Sequence, residues 1–356
     1  MFSSILIAVI SIIVLLSLHE FGHFIVAKKC GFRVEEFGIG YPPRLWGKKY
    51  GDTLYSINLI PFGAHVRIPE AEGEEAKYKP RWKRMLVLLG GVVSFWIIAF
   101  VLLTAVFKMG ASQAVSDTEP GTLVDPKVQI MAVLPASPAG EAGLRSGDTI
   151  KEFLVDESLF SIDKIKEIQD LTEQYKGREV NLTIERGKEV FTVSLVPRAS
   201  HPEDEGPMGV ALVRTAQKSY SWWQAPVKGA EATWNLTYGV VAGWGSIITG
   251  LFQGKGLPKG VQFVGPIGIG ALITQAAQVG INYFLQFIAM ISIYLAVFNL
   301  LPIPALDGGK LLFLAIEKIK GRALNQKIEE NVTAAFFVLL IVLMIWVTIK
   351  DIARLF

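Results

Sequence analysis

The chain has 356 residues, of which 51% are hydrophobic and 19% charged, and its mean hydropathy is +0.41. Such a balance points away from a soluble globular protein and towards a polytopic α-helical membrane protein with a soluble portion. A formal net charge of +3 is too small to suggest a nucleic-acid partner, and the single cysteine, Cys30, excludes an internal disulfide.

The first predicted element, within residues 1–30, is an apolar helix over about 3–27, long enough to cross a bilayer. Residues 1–18 lack a basic start and a small-residue cleavage site, so a removable signal peptide is not expected. The apolar run is interrupted at HEFGH by His19, Glu20 and His23. Ionisable groups inside such a helix are costly in hydrocarbon and mark a functional site by default. His19 and His23 are four residues apart on one helix face, so both imidazoles can ligate one metal. Glu20 sits beside them, within reach of a water held by that metal.

Residues 31–80 do not read as an ordinary loop. GFRVEEFGIG and TLYSINLIPFGAHVRI are rich in β-branched and aromatic residues, with glycines at their ends. They predict a β-hairpin over about 34–68. Two placements stay open: beside the metal helix, partly within the membrane, or as a plain cytosolic hairpin. His65 is read as a strand side chain and not as a ligand.

A second span is predicted within 83–108, where residues 85–107 carry no charge. The segment 115–200 reads as a compact α+β domain. VQIMAVLPASPAGEAGLRSGDTIKEF gives a strand, a short helix at 138–144, a Gly-Asp turn and another strand; VNLTIERGKEVFTVSLVP gives a hairpin turning at Arg186–Gly187. Asp148 is expected to hold its turn through backbone amides, a structural role.

Residues 219–256 carry tryptophans at 222, 223, 234 and 244 and no charge between 232 and 254. This segment is read as an amphipathic helix lying at the outer membrane surface. A fifth crossing here would send the end of the next span to the far side from His19. That third span falls within 282–310 and ends in FNLLPIPALDGGK; a fourth falls within 331–350.

Orientation follows the basic loops. Residues 28–84 carry twelve Lys and Arg against seven acids, and the loop at 302–331 carries five more basic residues. Both loops are expected inside, with both termini and the 108–228 segment outside. His19 then lies about 22 Å along its helix from the outer end, near the cytoplasmic side. A zinc site with one position open for water needs a third protein ligand. Asp307 is the one carboxylate in the 298–310 stretch, and this topology puts it on the side of His19 and His23. Pro302 and Pro304 are expected to break the helix, and Gly308–Gly309 to permit a tight bend after Asp307; a helix-capping aspartate is the alternative role.

HEFGH in a first span together with LPIPALDGG ending a later one resembles the site-2 protease family of intramembrane zinc proteases (peptidase family M50), and within it the bacterial type that releases membrane-bound anti-sigma factors. EEFGIG…IPFGAHV is similar to that family's membrane-associated β region. ASPAGEAGLRSGD is similar to a PDZ domain, and GPIGI at 265–269 to a segment preceding the third span. The resemblance implies one Zn2+ per chain held by His19, His23 and Asp307, with Glu20 as the catalytic carboxylate and Asn299 in a substrate-binding role. It also implies a bacterial inner-membrane protease, and as substrate a single-span membrane protein of the anti-sigma-factor kind, already shortened by an earlier cleavage. The chain departs from the family at Ser94, where Asn is usual, at GAHV and DGGK, where GGYV and DGGH are common, and in its single PDZ-like segment, which would bind a peptide terminus or exclude bulky substrates. A non-catalytic PDZ-containing membrane scaffold or chaperone remains the alternative, against which an intact Glu20 weighs. A metal transporter would need several intramembrane acids or histidines along a path, and the sequence has one cluster.

Overall fold

The computed structural model describes residues 2–355 apart from 70–78, 119–122, 135, 188, 203–204, 255–263 and 323. In chain order the elements are α1 (Phe2–Lys29), β1 (Glu36–Tyr50), β2 (Thr53–Arg67), α2 (Arg81–Met109), β3 (Ala111–Ala114), β4 (Val124–Val133), α3 (Pro138–Glu141), β5 (Thr149–Val155) and β6 (Ser158–Ser161). There follow α4 (Ile165–Gln174), β7 (Val180–Arg186), β8 (Glu189–Leu195), β9 (Val210–Lys218), α5 (Gln224–Phe252), α6 (Pro266–Val279), α7 (Ile281–Leu300), α8 (Asp307–Lys320) and α9 (Gln326–Leu355). Two compact units result, one of residues 1–105 and 226–356, the other of residues 106–225.

In the first unit, four helices are long and apolar enough to cross a membrane: Leu6–Lys29, Arg81–Met109, Ile281–Leu300 and Gln326–Ala353. They fall where the uncharged runs of the sequence place them. The helix α5 is continuous over 29 residues but does not reach the apolarity of those four. The C-terminus of α1 is closed by the pattern expected of a left-handed glycine cap. Gly31, at φ 75°, donates to Lys28 O at 3.1 Å and Phe32 to Ala27 O at 2.9 Å. Phe32 and Ala27 then share one buried cluster with Val34, Ile68 and Val87, which fixes the exit of α1 against the hairpin and α2.

Small residues let α1 and α2 approach closely, as is usual where helices pack in lipid. A Cβ built on Gly22 would lie 2.5 Å from Gly90 O, and one on Gly90 would lie 2.6 Å from Val26 Cγ2.

The hairpin is curled rather than flat. Phe37 pairs with both Tyr55 and Val66, and Gly38 with both Ser56 and His65, while Lys48 also pairs with Tyr55. The segment order across this small sheet is therefore 46–50, 53–57, 36–39, 64–67, and the first and last of these have one paired side each. Both strands bend between, at Gly40 (φ 79°) and Gly63 (φ 81°), conformations that favour glycine. The hairpin lies against α1. Phe24 packs on Phe37 at 5.4 Å and on Tyr55 at 6.0 Å between ring centroids, and Leu16 meets Gly63.

The second unit is a seven-stranded sheet in the order β3-β9-β4-β5-β7-β8 with β6 on β5. Its core is apolar and closed, with Val128, Ile150, Phe153, Ile168, Leu182 and Ile184 inaccessible to solvent. The strand–helix–turn–strand of residues 128–153 corresponds to β4, α3 and β5. Ser137 caps α3 by accepting the Gly140 amide at 3.2 Å, with proline at the first helical position. Asp148 accepts the Arg145 amide at 2.8 Å and is gripped by Arg186 at 2.6 and 2.7 Å. It therefore ties the Gly-Asp turn to the β7–β8 hairpin as well as to its own backbone. The unit runs past residue 200, because β9 is paired on one side to β3 and on the other to β4.

Candidate metal centre

Three side chains from two distant parts of the sequence converge inside the first unit. His19 and His23 come from the middle of α1, and Asp307 is the first residue of α8. All three are buried, at 7%, 6% and 9% exposure. His19 Nε2 lies 3.3 Å from His23 Nε2, and Asp307 Oδ2 lies 3.4 Å from the first and 3.3 Å from the second. Among the described residues this is the one group of three or more His, Cys, Asp or Glu side chains arranged to hold a metal.

The spacing can be tested against zinc. A tetrahedral Zn2+ with bonds of about 2.0–2.1 Å separates its ligand atoms by about 3.3–3.4 Å. The three donor atoms form a triangle with edges of that length, and such a triangle is one face of a tetrahedron, leaving the fourth corner for water. Asp307 Oδ2 is also fully buried without a hydrogen-bond donor, a costly state for a carboxylate oxygen unless a cation meets it. The residues fit the ion.

The supporting contacts explain the geometry. His23 Nδ1 lies 2.9 Å from Val87 O on α2, and a carbonyl accepts only from a protonated nitrogen, so Nε2 is the nitrogen left to bind metal. Gly91 faces that ring so closely that any Cβ there would collide with it. His19 stacks on Phe95, also of α2, at 4.5 Å and 12° between planes. Phe95 is held in turn by Ser292 of α7, whose hydroxyl donates to its carbonyl at 2.7 Å.

Asp307 is placed by the break that ends α7. The chain turns through residues 301–306, with Ile303 N donating to Leu301 O at 2.7 Å and Leu306 N to Ile303 O at 2.8 Å. The bend thus comes before Asp307, not after it as the glycine pair suggested. Gly308 and Gly309 lie in the first turn of α8, where a Cβ on the former would strike the carbonyls of Leu300 and Leu301 and one on the latter that of Ile303. Their role is close approach to the preceding backbone.

Glu20 is half-buried on α1, and the ionisable groups whose fields reach it are His23, His19, Asp307 and Lys310. Tyr41 of the hairpin also senses it: burial raises the phenol above its ordinary value, and the negative charge of Glu20 raises it further. The hairpin bend therefore lies within electrostatic range of the catalytic candidate.

Two further residues singled out in the sequence, His65 and Asn299, are not expected as ligands. His65 Nδ1 pairs with Gly40 O at 3.0 Å and is a strand side chain. Asn299 is half-buried and gives its Nδ2 proton to Leu295 O of its own helix at 3.0 Å; it is not among the metal-holding group. The Ser94 hydroxyl donates to Gly91 O at 2.5 Å. Val87, Gly91, Phe95 and Ser292 were not legible as site residues, because apolar and small side chains in a spanning helix look alike in sequence.

The profile of peptidase family M50 matches residues 7–343. A protein of Clostridium perfringens provisionally named as a zinc metalloprotease is 33% identical, over 98% of this chain and 98% of that protein. The regulator of sigma-W protease RasP of Bacillus subtilis is 27% identical over 95% of both chains. The regulator of sigma-E protease RseP of Escherichia coli is 27% identical over 98% of both. The last two alignments run over 426 and 451 positions against 356 residues here, so those relatives carry segments this chain lacks.

Proposed function

The chain belongs to peptidase family M50 and is a site-2-type zinc metalloprotease, and from that premise we propose that it hydrolyses a peptide bond inside the spanning segment of a single-span membrane protein. The observation that carries this is the depth of the centre: His19, Glu20 and His23 lie within the span Leu6–Lys29, not beyond its end. Neither a scaffold nor a metal transporter has a use for one buried zinc triangle with a carboxylate beside it.

His19, His23 and Asp307 would hold the ion, and Glu20 is the carboxylate available to exchange protons there. Bound there, Zn2+ would supply Lewis acidity, enough to bring the pKa of a water molecule towards neutral and to polarise the scissile carbonyl. Glu20 takes a proton from that water and delivers one to the departing amine. The stack of His19 on Phe95 and the bond of His23 to Val87 hold the imidazoles still through the cycle. The basic loops support a reading with the centre towards the cytoplasmic face and both termini and the 108–228 segment outside.

A helical substrate has its carbonyls bonded and its backbone shielded, so it must unwind locally before it can be cut. The curled hairpin supplies a receiver. Its segment 64–67 pairs with 36–39 on one side, and Tyr41 at its bend senses the charge of Glu20. An unwound substrate strand adding to such an edge is held extended by backbone bonds, with little demand on sequence. The names of the relatives, regulators of sigma-W and sigma-E, support substrates of the anti-sigma-factor kind. The second unit is read as a PDZ-type domain. Its groove between α4 and β9, lined by Ile165, Ile168, Thr172, Met208 and Val210, supports peptide binding over a purely steric filter.

The unwinding requirement gives a direct test. A span containing Gly or Pro at its cytoplasmic third is expected to be cut at least about fivefold faster than a poly-Leu span of equal length, since each Gly or Pro costs a helix interior roughly 1–3 kcal/mol. Equal initial rates in proteoliposomes would contradict the reading.

A further inference from the structure

Glu317 takes no part in the chemistry, yet it is a carboxylate at 5% exposure in the first unit. Burial of an ion is sustained only by good partners, and it has them. Its Oε2 lies 3.2 Å from Arg84 Nη1 and 3.8 Å from Arg81 Nε, and its Oε1 accepts the Leu324 amide at 3.2 Å. The Arg84 side chain is itself 12% exposed, whereas that of Arg81 is 43% exposed; Arg84 is the partner that solvent screens least.

Both ends of this pair lead to the centre. Glu317 is on α8, the helix whose first residue is Asp307. Arg84 is on α2 at the head of a stripe, 84–87–91–95, with the three- and four-residue spacing of one helix face. Further along that stripe, Val87 O holds His23, Gly91 makes room for its ring, and Phe95 carries His19. Beside Arg84, Lys83 donates to Cys30 O at 3.0 Å, which pins the end of α1 to α2 as well.

We propose that Arg84 and Glu317 are positioning residues for the third metal ligand, so that one face of α2 sets the place of all three. The histidines are set by direct contact. Asp307 is set through α8, a rigid lever about 15 Å long between residues 307 and 317, whose far end the ion pair clamps to α2. A metal site tolerates ligand displacements of only about 0.2 Å, so a pivot of α8 opens the triangle although no ligand is changed. The inference rests on the zinc centre described above.

Cobalt(II) alone, titrated into the full-length protein in detergent, tests it, because its visible absorption reports both affinity and tetrahedral geometry without turnover. Glu317→Gln keeps the acceptor for Leu324 and removes the charge; Arg84→Met removes the other partner; Arg186→Met, in the second unit, controls for general destabilisation. Glu317→Gln and Arg84→Met are expected to bind cobalt about 10–100-fold more weakly, with altered bands at saturation and unchanged helix content, while Arg186→Met matches wild type. Wild-type affinity and spectrum in folded Glu317→Gln would overturn the proposal. Should the single variants not fold, Arg84→Met/Glu317→Met replaces the pair by apolar side chains. Weak, altered binding in that folded double variant supports the proposal, and wild-type binding overturns it. No tetrahedral signal in wild type itself would overturn both the proposal and the metal centre beneath it.

Discussion

Glu20→Gln is expected to lose cleavage by at least about 10³-fold while keeping zinc near one ion per chain. Glutamine matches the shape and hydrogen-bonding reach of glutamate but has no site to accept a proton at neutral pH. A positioned acid–base group contributes about 10²–10⁴-fold to such a reaction. In the proposed mechanism Glu20 performs both transfers, from the water and to the amine, so the loss belongs towards the upper end. The ligands are untouched: His19, His23 and Asp307 hold their triangle through α2 and α8, not through Glu20. Initial rates on a reconstituted substrate, with zinc measured on the same samples, check this. Retention of rate to within tenfold would remove Glu20 from the mechanism.

Asp307→Ala is expected to fail one step earlier. Two histidines leave two corners of the tetrahedron to water, and the neutral remainder lacks the charge that compensates a dication in an apolar surround. Changing a residue that merely supports a ligand weakens metal binding by about 10–100-fold; removing the ligand should exceed that, with zinc well below one per chain after dialysis and cleavage lost with it. His65→Ala is the matched control, since His65 bonds within the hairpin. A variant lacking Asp307 that retained zinc at wild-type affinity would place the third ligand elsewhere.

The part of this account that could be read from sequence is the part that depends on spacing within one element. His19 and His23 are four apart in an apolar helix, and period and burial cost together point to a metal. The four spans follow from uncharged runs, and the turns at Arg186–Gly187 and Asp148 from local chemistry. Asp307 was a different matter. It lies 284 positions beyond His23, so it entered as a candidate by topology and as a ligand by resemblance. The glycines after it depart from the bend they suggest for a physical reason. A glycine pair signals either a left-handed turn or close backbone approach, and only the positions of Leu300, Leu301 and Ile303 distinguish the two. The α2 stripe was illegible in the same way: Val87 acts through its carbonyl, Gly91 through an absent Cβ, and neither leaves a mark in composition. Pairing of 36–39 on both sides also could not be read, because the period of two in a strand fixes faces and not partners.

The central claim, that zinc held by His19, His23 and Asp307 serves to cut a peptide bond within a span, is tested most directly by mapping the cut bond. A single-span substrate with a helix-weakening segment would be reconstituted with wild-type protein in liposomes, and its products sized by mass spectrometry before chelation, after it, and after zinc is returned. The account predicts one cut inside the spanning segment, absent on chelation and restored by zinc. A cut confined to residues outside the span, or one that persists with zinc removed, would contradict it.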